Sequence, residues 1–280
     1  MQGPIFRDNT VLEALKRIGI MFGGIAVLIA VVSGLQVLMM KRIPDVAAGI
    51  VVLAALFGAY YSYVRLTERR AVYELDPRAL APQLLLGLAI GTTLFVTVMG
   101  LLALTGHYRY VGRAAIPGLG TAFLLTTVGA VAEELIFRGF LFRVIASIGG
   151  TWIAVAISAV LFGVLHGFNP HATIVSSLAI ALEAGGLLAF AYAATQKLWL
   201  PIGFHIAWNF TEGDIFGVAV SGHKPLPSLF VGHVSGPEYL TGGAFGAEAS
   251  LFAVIVCVFA MAFIIAYTIR TNRLLPMIRR

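Results

Sequence analysis

Residues Ile18 to Met40 run for 23 positions without a charged side chain, and the pattern recurs down the chain. Further apolar runs fall at about 44–64, 82–105, 117–147, 151–168, 172–194, 198–212 and 246–270. A helix that crosses the hydrocarbon of a bilayer needs about 20 apolar residues. Lipid offers the backbone no hydrogen-bond partner, so such runs must be helical. The chain therefore reads as all-α, a polytopic transmembrane helix bundle of about eight spans with a polar cavity in its core. Residues 1–17 form a short polar lead, expected to be cytoplasmic, and residues 18–280 a single transmembrane domain. The run 117–147 is longer than the hydrocarbon needs and is expected to tilt or protrude. The Gly- and Pro-rich stretch from Gly213 to Ala247, which holds His223 and His233, reads as a solvent-facing loop.

Composition supports this reading. Hydrophobic residues make up 59% of the chain, charged residues 11%, and the mean hydropathy is +0.94. A soluble domain carries about 25% charged residues, so soluble and disordered classes are excluded. The formal charge of +6 belongs to loops that orient the chain, with the lipid bilayer as partner and no nucleic acid. With eight spans and the N-terminus inside, the cytoplasmic segments carry twelve Lys and Arg: Arg7, Lys16, Arg17, Arg65, Arg69, Arg70, Arg78, Lys197, Arg270, Arg273, Arg279 and Arg280. Lys41, Arg42, Arg109, Arg113 and Lys224 face outward, so both termini are expected to be cytoplasmic. The compact form and short termini suggest the plasma membrane of a prokaryote. The single cysteine, Cys257, lies within an apolar run and reads as a packed small residue.

Ionisable side chains inside spans cost several kcal/mol unless paired or wet, so they mark function by default. The middle spans hold Glu133, Glu134 and Arg138, then His166, then His205, with Asn209 one turn beyond. Glu134 and Arg138 stand four residues apart and share a helix face, as do Phe162 and His166, and His205 and Asn209. Turned inward together, these faces gather two carboxylates, one guanidinium, two imidazoles and one amide. Such a set activates water or binds a metal. A purely structural ion pair accounts for Glu134 and Arg138 but leaves Glu133 alone, because it lies about 100° around the helix from Glu134.

These residues resemble a known pattern. Glu133-Glu134-Leu-Ile-Phe-Arg138 is similar to the E-E-x-x-x-R motif of the CPBP (Abi) family of intramembrane endopeptidases, which includes the type II CAAX prenyl proteases. Phe162-Gly-Val-Leu-His166 resembles its F-x-x-x-H motif, and His205-Ile-Ala-Trp-Asn209 its H-x-x-x-N/D motif. The resemblance covers roughly residues 115–212, the expected peptidase core. It implies hydrolysis of a peptide bond in a membrane-associated peptide or protein, prenylated or not. It also implies roles: Glu133 as the base that activates water, His166 holding that water or a metal, and His205 and Asn209 stabilising the oxyanion. Glu134 and Arg138 would support the geometry, with Phe162 beside His166. The family is described both as metal-dependent and as glutamate-dependent. Both options stay open, and Glu134, His166 and His205 would be the ligands of a zinc ion.

The H-E-x-x-H zinc motif is absent. Ser221 lacks a serine-protease motif and a histidine partner on a span, and Asp214 lacks a second intramembrane aspartate. Glu183 departs from the family pattern; it lines the cavity or pairs with Arg143 or a backbone group. The alternative to a protease is a non-proteolytic membrane transporter, or an immunity or scaffold protein on the same fold. Repeats and correspondingly broken helices, expected of a transporter, are not evident. The span count places His166 and Asn209 outward of the membrane midplane, whereas prenyl proteases of this family take substrate from the cytosolic side.

Overall fold

The computed structural model describes residues 11–39, 45–115, 118–224 and 228–276. Residues 1–10 of the polar lead lie outside these, as do Arg7, Lys41, Arg42, Arg279 and Arg280 of the charge count. The described chain folds into α1 (Val11–Met39), α2 (Asp45–Tyr63), α3 (Pro77–Leu104), β1 (Tyr108–Arg113), α4 (Leu119–Glu134), α5 (Arg143–His166), α6 (Ile174–Ile180), α7 (Leu188–Thr195), α8 (Trp199–Phe210), β2 (Phe230–Val234), α9 (Glu238–Thr241) and α10 (Leu251–Arg270). Wider π-helical turns at Val64–Glu68, Leu135–Phe142, Ala181–Leu187 and Thr211–Ile215 join or extend these helices. Helix α1 begins at Val11, so the end of the polar lead is continuous with the first span.

Among the described residues, six stretches are long and apolar enough to cross a membrane. The fourth, Leu119–His166, is 48 residues long. Straight, it would reach about 72 Å, more than twice the roughly 30 Å hydrocarbon thickness. It breaks at Gly150, whose φ of 81° and ψ of 173° suit a residue without a Cβ. Counting its two arms separately, and adding Trp199–Ile215, recovers the eight expected spans. The chain is an integral membrane protein.

Helix α8 runs through the centre of the bundle, with every residue from Trp199 to Trp208 buried. Small residues allow this. A Cβ at Gly203 would collide with the Leu84 carbonyl oxygen, and one at Gly87 with that of Leu200, so α3 and α8 meet backbone to backbone. Aromatic rings fill the remaining contact, including Phe95 edge-on to Trp208 at 5.0 Å. Helix starts follow local chemistry. The Asp76 carboxylate accepts from the Arg78 N–H before α3, Thr173 and Ser176 cap α6 reciprocally, and the Ser250 hydroxyl oxygen accepts from the Ala253 N–H at 3.1 Å before α10.

The stretch after α8 is not the solvent-facing loop expected from composition. Strand β2 pairs antiparallel with β1, with a bulge between Tyr110 and Gly112. The following segment folds back, burying Val218, Phe245, Ala247, Glu248 and Ala249. The Gly222 N–H donates to the Phe245 carbonyl, and Gly222 packs on the Pro170 carbonyl. Long-range packing, which a Gly-rich composition does not reveal, roofs one end of the bundle.

At the opposite end, Arg143 pairs with Glu68 at 2.5 Å, not with Glu183 as the sequence allowed. Arg70 bridges Glu68 at 2.8 Å and Glu74 at 2.6 Å, and the Tyr60 hydroxyl donates to Glu74. Glu74 sits in the turn between α2 and α3. Burial alone would raise its pKa, but the Arg70 hydrogen bond and the Arg143 charge outweigh burial and hold it below the ordinary carboxylate value.

Candidate active site

Three helical segments converge on one imidazole. The His205 Nδ1 lies 3.0 Å from Glu134 Oε1, and its Nε2 lies 3.8 Å from Glu133 Oε2. Glu134 is fully buried, and its Oε1 also accepts from Arg138 at 2.7 Å. Arg138 is itself fully buried. Its other terminal nitrogen donates to the carbonyls of Ala184 and, at 3.3 Å, Gly185. Those carbonyls lie in the π turn Ala181–Leu187, where the i+5 pattern interrupts the ordinary ladder and leaves room for a side-chain donor. The guanidinium stands 5.2 Å from the Phe162 ring centroid. One arginine thus ties the helix of Glu134 to that of Glu183 and to α5.

One imidazole therefore stands between two carboxylates, with Nδ1 towards Glu134 and Nε2 towards Glu133. His166 stacks on Phe162 with centroids 4.4 Å apart, and its Nδ1 lies 2.9 Å from the Phe162 carbonyl oxygen. That contact makes Nδ1 the donor and leaves Nε2 as an acceptor.

These groups border a small cavity with room for about one water, opening through a mouth that brings the empty space to about 390 Å³ with solvent included. Phe162, His166, His205 and Asn209 all line it, so two of the three expected faces turn onto the cavity. Glu133 and Glu134 are not on its wall and reach it through His205. The Glu133 side chain is 37% exposed, less enclosed than its neighbour.

The proposed zinc ligands Glu134, His166 and His205 do not converge. Among the described residues no three His, Cys, Asp or Glu side chains come together as a metal site would require. Glu134 Oε1 is shared by Arg138 and His205, and His166 is turned on its own carbonyl. No step below is therefore routed through a metal.

Other wall residues were not anticipated. They are Ser221, Glu248, Trp208 and Cys257, and they join Glu183, for which the sequence allowed a place on the cavity and whose carboxylate oxygens are both unpartnered among the described residues. Glu248 accepts from the Ser221 N–H, and its own N–H donates to Glu212 Oε1 at 3.1 Å. Glu248 lies outside the spans. Burial is the main cause that pushes its pKa up to about 7, against the lowering hydrogen bonds from Ser221. Glu212 follows Asn209 by three residues, which was a legible signal for a shared face. Glu248 fell at the start of the run 246–270 and was not singled out there; it sits in the turn Ala247–Ala249 that precedes α10.

Residues 115–211 match the sequence pattern of the Rce1-like family, described as type II CAAX prenyl endopeptidase Rce1-like. A protein of Bacillus subtilis (strain 168) named "Putative membrane peptidase YdiL" is 33% identical over 82 residues. That match covers 29% of this chain and 31% of the relative's length. No solved structure matches. Over residues 115–211, which carry all three motifs, the chain is similar to the Rce1-like family, and it spans about a third of the length of the curated relative it matches.

Proposed function

We propose that this protein is an intramembrane endopeptidase that hydrolyses a peptide bond in a membrane-associated peptide or protein. The observation that carries the reading is His205, held between Glu134 and Glu133 on the wall of a cavity it shares with His166 and Asn209. A transporter or scaffold reading gives no reason for a buried arginine to be spent on orienting one imidazole.

In the proposed reaction Glu133 takes a proton from water, and the resulting hydroxide attacks the scissile carbonyl carbon. His205, oriented by Glu134 and set beside Glu133, helps to stabilise the oxyanion that forms. The free Nε2 of His166 accepts a hydrogen bond from the attacking water. The Asn209 amide donates to the carbonyl oxygen as it becomes an oxyanion. Glu133 then returns its proton to the leaving nitrogen, the C–N bond breaks, and a carboxylic acid and an amine remain. Arg138 and His205 both engage Glu134, which leaves Glu133 as the carboxylate placed to shuttle protons.

The test is cleavage of a library of membrane-anchored peptides, half of them prenylated, by purified protein in vesicles. Glu133→Gln should slow cleavage by about 10²–10⁴-fold. Full activity in that variant sinks the role of Glu133, and no cleavage of any peptide sinks the function. Metal analysis and chelation on the same preparation decide whether zinc takes part.

A further inference from the structure

The cavity has a second wall that the hydrolytic mechanism leaves idle. Glu183 is 4% exposed, and both of its carboxylate oxygens lack a hydrogen-bond partner. It lines the cavity beside Glu248. Glu212 lies behind Glu248, joined through the Glu248 N–H, with its own Oε2 unpartnered. The three carboxyls act on one another electrostatically. Among the described residues, no lysine or arginine is on the cavity wall. Arg138 is engaged elsewhere, by Glu134 and by the carbonyls of Ala184 and Gly185. His205, the imidazole that acts on Glu248, already faces Glu133 and Glu134.

A buried carboxyl aimed into a cavity without a partner is costly unless something else satisfies it. The rest of the wall indicates what that is. Phe162, Phe204 and Trp208 line the same space, and aromatic faces attract cations as well as packing a methylene stem. A lysine or arginine side chain combines that stem with a charge able to hydrogen-bond Glu183. We infer that the Glu183–Glu248 wall is a specificity site that receives a basic side chain of the substrate peptide. This deepens the endopeptidase reading, since it takes the cavity as a peptide site.

The test reads binding, so it does not depend on turnover. Glu133→Gln protein in vesicles is titrated with fluorescent N-acylated decapeptides, each identical except for one lysine or norleucine moved along the sequence. At one position lysine should bind about tenfold or more tightly than norleucine. Adding Glu183→Gln should collapse that preference towards unity. Equal binding of lysine and norleucine at every position overturns the inference, and this arm needs no second variant to fold. A preference that survives Glu183→Gln overturns it as well. Peptides bound with this preference but never cut by the unsubstituted protein would instead overturn the endopeptidase reading and leave the basic-group site standing.

Discussion

Replacing Arg138 with methionine tests the architecture most directly. The guanidinium is fully buried and makes three kinds of contact: the Glu134 carboxylate at 2.7 Å, the Ala184 and Gly185 carbonyls, and the Phe162 ring face. Methionine keeps most of the apolar volume but satisfies none of the polar groups. Breaking a buried ion pair from one side costs about 3–5 kcal/mol, because the remaining charge is left unpaired. Each orphaned carbonyl adds about 1–3 kcal/mol, partly recovered where a π turn relaxes to ordinary helix. We expect a loss of about 4 kcal/mol for Arg138→Met. Much of this is the penalty of an ionised Glu134, so Glu134→Gln in the same chain should restore about 1–3 kcal/mol. The assay is equilibrium unfolding of the four proteins of this cycle in mixed micelles. A single substitution within about 0.5 kcal/mol of the parent, the scatter of ordinary surface changes, would refute the claim that Arg138 ties these helices together. Strict additivity would refute the assignment of its partner.

Four further outcomes follow. Gly203→Val should separate α3 from α8, because the new Cβ meets the Leu84 carbonyl; a loss of about 1–3 kcal/mol is expected in the same unfolding assay. Asn209→Ala should lower kcat by about 10²–10³-fold with little change in KM if its amide serves the oxyanion, measured on any cleaved peptide. Glu248 has a folded-state pKa raised from 4.5 to about 7, chiefly by burial in the presence of Glu183 and Glu212 and against the lowering influence of Ser221 and His205. Its contribution to stability is therefore full below the unfolded value and is lost as pH rises through about 7, so unfolding midpoints should fall between pH 5 and pH 8 and Glu248→Gln should flatten that slope. Glu74 is held below its ordinary value, so its contribution is present above that value and is lost as pH falls through the lowered one; Glu74→Gln should weaken acid sensitivity and cost about 3–5 kcal/mol near neutral pH.

Much of the catalytic face was legible because it is local. The spacings Glu134–Arg138, Phe162–His166 and His205–Asn209 are each one helical turn, and a helix imposes that geometry wherever it lies. The structure keeps the first as an ion pair and the second as a ring stack, and it places both members of the third on the cavity wall. Two local expectations were incomplete. Glu133 shares its motif with Glu134, yet it meets His205 at 3.8 Å from a more exposed position. The stretch after α8 looked like a loop because glycine and proline dominate it, but its buried Phe245 and Glu248 complete the site.

The sequence by itself determined that the chain is helical and membrane-embedded, because apolar runs in lipid leave the backbone no other way to satisfy its hydrogen bonds. It also marked which side chains are candidates for chemistry, because a charge inside such a run must be paired or used. Tertiary structure alone decided that Arg143 serves Glu68 rather than Glu183, that Glu183 is left without a hydrogen-bond partner, and that Ser221 and Glu248 close the cavity. Those outcomes depend on how closely helices approach and on contacts between residues dozens of positions apart, as between the Arg138 guanidinium and the Ala184 carbonyl. Helical periodicity specifies neighbours one turn away and carries no information about such partners.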